Sequence, residues 1–404
     1  MSFPRPMRRL APLAAAAALA ACSFIPTYER PAAPVPAAYD YASAPTGTPA
    51  AQLDWQQFLA DARLRELVAT ALANNRDLRV AVANIEQARA QFDIRNADRY
   101  PTVGVSASAT RQPSTTARDT QVNLYTLGLA LTAWELDFFG RVAALGQSAQ
   151  AQFFATEEAR KAAQVSLVGA VATTWLSLVA DEELLALTRQ TLQTREETFR
   201  LTKLRFDNGV SNELDLRLAQ SLAESARVAL AQQQRQRALD INALSLLVGR
   251  PLPSNYSTGT TMAAVALADV PAGLPSDVLA SRPDVRQAEQ QLLAANANIG
   301  AARAAFFPRI SLTASAGRAS SELSGLFNNN GVWAYTVAPQ LLLPIFDAGR
   351  NRAGLASANA QRDIAVAQYE RSIQSAFREI SDALAGRVTL LDQLQAQANV
   401  AEAE

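Results

Sequence analysis

At 404 residues the chain is long enough for two or three domain-sized units, and 49% apolar against 18% charged residues supply ample material for ordered structure. Its 37 cationic and 37 anionic side chains cancel, so it lacks the basic footprint of a nucleic-acid binder. It has no histidine, only two lysines (Lys161 and Lys203) and one cysteine, Cys22. That excludes most metal centres, Ser-His-Asp and Cys-His nucleophiles, imidazole acid–base chemistry and any internal disulfide.

Arg5, Arg8 and Arg9 precede an apolar run from Leu10 to Ala21 that is too short to cross a bilayer. A basic start, an apolar middle and small residues before a cut site read as a signal peptide over 1–21. The junction Leu19-Ala20-Ala21-Cys22 resembles the lipobox of bacterial lipoproteins. There the cysteine thiol takes a diacylglycerol and the freed amine a third acyl chain, a far firmer anchor than one chain alone. Cys22 is therefore expected to be the lipidation site, and Ser23, not being aspartate, is compatible with passage to the outer membrane. Residues 22–52 hold Pro26, Pro31, Pro34, Pro36, Pro45 and Pro49 and are expected to form an extended lipidated tether, separate from the folded body.

Beyond the tether the sequence repeats itself. Leu72 to Arg79 is echoed by Leu279 to Arg286, and Tyr100-Pro101 by Phe307-Pro308, both at an offset of 207. Asp137-Phe138-Phe139-Gly140-Arg141 is echoed by Phe346-Asp347-Ala348-Gly349-Arg350, with the glycines offset by 209. Asp77 and Asp284 suit a helix first turn and Pro283 its first position, so capping rather than catalysis accounts for them.

Each copy opens with an amphipathic helix, over about 62–98 and 277–305, closed by Pro101 or Pro308. Two segments of period-two alternation follow in each: 102–111 with 122–134, and 309–318 with 332–343. Pro113, Ser114 and Thr115 join one pair and Asn328 to Gly331 the other, as in hairpins. Tyr125, Leu127, Leu129 and Leu131 share a face opposite Thr126, Gly128, Ala130 and Thr132, and the later strands alternate likewise. One apolar and one small or polar face over about ten residues is what a membrane barrel strand requires. Alone, the same alternation also suits a soluble sandwich. Four strands cannot close a barrel, and open edges cannot face lipid, so the membrane reading requires several chains to share one barrel.

From Arg141 to Phe206 there is no proline, and the only glycines are Gly146 and Gly169. As one helix this stretch would run about 100 Å, which predicts an elongated molecule. Leu178, Leu185, Leu192, Phe199 and Phe206 recur every seven residues, a coiled-coil stripe. Asp207 to Asn212 reads as a tight reversal, with Gly209 free to take positive φ and Ser211 or Asn212 able to cap a second helix over 213–248.

These residues resemble the TolC-like outer-membrane factor family, in the NodT-type lipoprotein branch that serves resistance–nodulation–division efflux pumps. The resemblance is carried by Trp55 to Phe58, Leu72 to Arg79, Trp134 to Arg141, Leu204 to Ser211, Arg282 to Arg286 and Pro344 to Arg350. It implies a mainly α fold with transmembrane β-hairpins: a homotrimer with an α-helical barrel and a shared twelve-stranded β-barrel, anchored by lipid in the bacterial outer membrane, with a large periplasmic portion. It further implies a passive duct for drugs and other small molecules, no cofactor, and partnership with a periplasmic adaptor protein and an inner-membrane efflux transporter. By the same resemblance Arg205, Asn208 and Gly209 lie at the periplasmic tip, where the adaptor docks. Arg205, Glu213 and Asp215 are expected to hold the closed tip by charge pairs.

The expected division is a first repeat over 53–270, with its long helical hairpin at 141–248, and a second over 271–404, with a long helix from 349. Compared with the first copy, the second lacks about fifty residues, the counterpart of the returning helix. A trimer of this length is therefore expected to leak or to assemble poorly. A lipid-anchored periplasmic coiled-coil spacer is the alternative reading. A lipid-anchored enzyme is a third, which without histidine would need carboxylate pairs or a Ser-Lys arrangement.

Overall fold

Capping side chains decide where the helices of this chain begin. Asp61 accepts the Arg63 amide at 2.8 Å and opens a helix at Ala62; Asn212 accepts the Asp215 amide at 2.9 Å and opens another at Glu213. The computed structural model describes residues 23–36, 38–40, 54–113, 121–257, 259–265, 281–328 and 330–403. The signal peptide, Cys22, Ser114, Thr115 and Asn329 lie outside the described residues.

In chain order the elements are α1 (Trp55–Phe58), α2 (Ala62–Asn74), α3 (Arg76–Ala97), β1 (Val103–Pro113) and β2 (Gln121–Leu136). Then come α4 (Arg141–Asp207), α5 (Glu213–Val248), a 3-10 turn (Met262–Ala264), α6 (Pro283–Ala304), β3 (Arg309–Ser320), a 3-10 turn (Leu323–Leu326), β4 (Val332–Leu342) and α7 (Arg350–Ala403). Hairpins and long helices fall where the sequence places them. Two starts differ. The helix expected over 62–98 is two helices, because Asn75 turns extended (ψ 134°), caps α3 through the Leu78 amide at 2.9 Å and donates to Leu247 O at 2.9 Å. Of the helix expected over 277–305, residues 277–280 lie outside the described residues; the helix described begins at Pro283, whose fixed φ suits a first turn.

Packing divides the chain differently from the repeat. Among the described residues, one compact unit gathers those of 23–35, 84–158 and 284–376; the other gathers those of 36–83, 159–283 and 377–403. Each copy contributes to both, because α3, α4 and α7 each run from one unit into the other.

The first unit holds a four-stranded antiparallel sheet ordered β1-β2-β3-β4. Its middle pair, β2 and β3, joins the two repeats. Gly128 and Gly317 meet there so closely that a Cβ on Gly317 would stand 2.3 Å from Leu127 O. Near its end β2 carries a bulge between Leu131 and Trp134, where Ala133 takes φ 49° and donates its amide to Thr313 Oγ1 at 3.2 Å.

The second unit is built around Trp175 of α4, fully buried among Leu64, Leu67, Val68, Leu178, Leu244 and Val248 from α2, α4 and α5. Its indole N–H donates to Asp61 at 3.0 Å and its ring meets Tyr256 edge-on at 5.8 Å. By length and composition α4 also qualifies as a membrane-crossing helix, but Leu167, Val171, Trp175, Leu178 and Val179 spend that apolar face on this core.

Candidate functional site

Register turns the alternation of four separate strands into one continuous surface. Val105 pairs with Leu129, Leu129 with Ala316, and Ala316 with Tyr335. One step along, Val103, Leu131, Ala314 and Val337 line up in the same way. Side chains directly opposite share a face, so the apolar residues of all four strands lie together. The other face carries Ser106, Gly128, Gly317 and Ala334 in one row and Ser108, Thr126 and Ala319 in another, with Ser108 and Thr126 hydroxyls 2.7 Å apart.

The apolar face is strongly exposed within a single chain: Val105 is 78% exposed, Tyr335 76% and Val337 64%. Strands of eleven residues, tilted as in membrane barrels, span about 25 Å, the height of a lipid-facing band. Aromatic groups gather at both ends, Phe327 and Trp333 at one and Tyr100, Trp134 and Phe346 at the other. The Trp134 indole donates to Arg99 O at 3.3 Å. The outer edges of β1 and β4 pair with no other strand among the described residues.

Below the strands the duplicated Asp-Gly-Arg landmark is a strand-to-helix connector. Asp137 accepts the Ala143 amide at 2.7 Å at the start of α4; Asp347 accepts the Gly349 and Asn351 amides, both at 2.9 Å, at the start of α7. These backbone bonds hold the Asp347 carboxyl below its ordinary range. Gly140 and Gly349 supply φ of 72° and 85°. Glu135 grips Arg141 through both oxygens, at 2.8 and 2.6 Å, and also reaches Arg309 at 3.2 Å.

The segment after Cys22 has no regular structure, yet it does not stand apart from the body. Residues 23–30 run along α6 as a strap within the first unit. Phe24 stacks on Phe307 at 4.6 Å, Ile25 covers Gly300, and Asn296 donates to Pro26 O at 2.8 Å. Tyr28 donates to Glu289 at 3.0 Å, and Arg30 donates to both oxygens of Glu289 at 2.7 and 2.8 Å. The buried Glu289 carboxylate thus has three donors, and burial beside it pushes the Tyr28 hydroxyl well above its ordinary range. Of the extended tether expected over 22–52, residues 24–30 thus contact partners some 260 residues away in sequence, while 41–52 lie outside the described residues. Cys22 itself lies outside the described residues.

The reversal between α4 and α5 is a Schellman turn. Gly209 takes φ 73°, its amide donates to Phe206 O and that of Val210 to Arg205 O, each at 2.9 Å. Asn208 donates to Leu204 O at 2.7 Å. Glu213 and Asp215 occupy the first turn of α5, where acids suit the helix dipole. Glu213 meets Arg217 at 3.4 Å, and Asp215 accepts the Ser211 hydroxyl at 3.2 Å. Arg205, Glu213 and Asp215 do not pair with one another within the chain. Val210 and Leu214 beside them are 73% and 76% exposed. The strap docking and the Asn75 break carried no local sequence signal; the tip turn did, in Asp207-Asn208-Gly209.

A family model described as "Outer membrane efflux protein" matches residues 67–250 and 274–404. The solvent efflux pump outer membrane protein SrpC of Pseudomonas putida is 46% identical over 406 residues, covering 97% of this chain and 85% of the relative. Outer membrane protein OprJ of Pseudomonas aeruginosa is 46% identical over 399 residues, covering 96% and 82%. The crystal structure of the open state of the Neisseria gonorrhoeae MtrE outer membrane channel superposes with a TM-score of 0.84 at 38% identity, covering 95% of this chain and 86% of that one. The chain belongs to the outer membrane efflux protein family, as a mainly helical channel subunit whose strands lie in the outer membrane, whose helices stand in the periplasm, and whose barrel is completed in a trimer.

Proposed function

We propose that this chain is the lipid-anchored outer-membrane duct of a three-part export pump. The observation that carries the reading is the four-strand apolar face with both sheet edges unpaired. Such a sheet enters lipid only when β1 of one copy pairs with β4 of the next. Energy comes from an inner-membrane transporter; the duct catalyses nothing and conducts passively. Its cargo is the class named in its relatives, small apolar or amphipathic molecules such as solvents. Cys22 carries the acyl chains. Phe24, two residues further on, stacks on Phe307 just ahead of β3, which supports an anchor near the strand ends.

The exposed tip, with Arg205, Asn208, Gly209, Glu213 and Asp215, is the adaptor's docking end, and charge pairs between neighbouring chains hold it closed. The decisive measurement is conductance of purified protein in planar bilayers, alongside its mass in detergent. A trimer that conducts ions supports the duct. A monomer without conductance overturns it. For the tip, Arg205→Ala is expected to alter susceptibility to exported compounds, and unchanged transport removes Arg205 from the gate.

A further inference from the structure

Charge enters the apolar face of the sheet at Arg318. On β3 it stands two residues beyond Ala316, and it pairs with Leu127 of β2 and Trp333 of β4, which hold the same face. β3 lies inside the sheet, so pairing of β1 with β4 between copies leaves its outward side to lipid. An arginine on that side is costly at the middle of a bilayer and tolerated only near its surface. About 26 Å of strand separates Arg318 from Ile310 at the periplasmic end, whereas Ser320, at the other end of β3, is two residues away. Arg318 therefore sits at the outer surface of the membrane.

Its surroundings hold the guanidinium there. Nη1 donates to Asn328 O at 2.9 Å, in the loop that joins β3 to β4. That bond draws the charged head outward while the aliphatic stem stays beside lipid. Trp333, opposite it on β4, is exposed, as is Phe327 ahead of Asn328. Among the described residues no carboxylate pairs with Arg318. Further out on the same face is Arg111 of β1, opposite Asn123.

A cation with a planar fork of donors, set beside an exposed indole at the surface of a bilayer, suits a lipid phosphate. The outer leaflet of an outer membrane is built of glycolipid whose sugars carry phosphates; phospholipid fills the inner leaflet, at the other end of the strands. We propose that Arg318 and Trp333 form a binding site for that phosphorylated glycolipid. Arg318 holds a phosphate, Trp333 lies against the acyl chains, and Arg111 faces the sugars farther out. The site rests on the strands lying in the outer membrane, not on conduction through the duct.

The test is native mass spectrometry of the full chain, assembled in detergent, with three probes: bisphosphorylated lipid A, the same lipid with its phosphates removed, and phosphatidylglycerol. Wild type is expected to retain bisphosphorylated lipid A about tenfold better than either other lipid. Arg318→Gln is expected to lose about tenfold of that retention, and Arg318→Lys, which keeps the charge but not the fork, to lose less. Inorganic phosphate in millimolar excess should leave the lipid in place; displacement would reduce the site to one for free anions and overturn the proposal. Equal retention of the three lipids by wild type, or of bisphosphorylated lipid A by wild type and Arg318→Gln, also overturns it. The wild-type comparison stands even where a variant fails to assemble. Conductance of the same sample separates the two readings: a conducting trimer with no phosphate preference removes the site and leaves the duct.

Discussion

The sheet and the core of the second unit use similar side chains for opposite purposes. Val105, Tyr335 and Val337 stand 64–78% exposed on strands, whereas Trp175, Leu178 and Leu244 are wholly hidden between helices. In water the first arrangement would be an aggregation hazard and the second an ordinary core. The difference lies in the surroundings each face is built for: helix side chains cover the core, and lipid covers the strands. Exposure within one chain therefore does not measure how much an apolar residue matters.

This contrast is open to test. Trp175→Ala removes the largest buried side chain and its bond to Asp61; a loss of about 3–5 kcal/mol is expected in a denaturation midpoint read on the helical signal. Val337→Ala should leave that midpoint nearly unmoved, and equal losses would erase the distinction. Next in size, Val337→Arg places a charge on the lipid face and is expected to cost about 2–4 kcal/mol of membrane insertion, read by liposome refolding. Thr336→Arg, one residue away on the other face, should insert normally and shift ion selectivity instead. Asn75→Ala removes both a helix cap and the bond to Leu247 O, and should lower the midpoint by about 1–2 kcal/mol. Smallest is Arg217→Ala at the exposed tip, where the midpoint is expected to stay within error, since solvent screens the 3.4 Å pair with Glu213.

The sheet was legible in the sequence because alternation has period two and needs no partner to be seen. The register that joins β2 to β3 was not, although Gly128 and Gly317 mark the place where the two strands come closest. Long helices were legible from missing proline and from the leucines at 178, 185 and 192. Of that stripe Leu178 and Leu185 are buried and Phe206 is 36% exposed, so the seam loosens toward the tip. Asn75 was hidden because an asparagine inside an amphipathic pattern reads as a surface residue until its partner Leu247 is known. The strap was hidden for a related reason: a run of prolines describes local stiffness and carries nothing about Glu289 or Asn296. At the tip, Gly209 was readable as the turn and Ser211 or Asn212 as the cap, because those roles are local; Asn212 is the residue that caps.

The unpaired edges of β1 and β4 have a genetic consequence. They are different edges of the same sheet, so the joint between copies is heterologous and every chain in the ring depends on two neighbours. A variant that keeps one edge and spoils the other still enters the ring and blocks its closure. In a cell making equal amounts of variant and normal chain, only about one ring in eight would contain three sound subunits. Damage confined to a single strand edge would therefore act as a dominant trait, while loss of the whole chain would not.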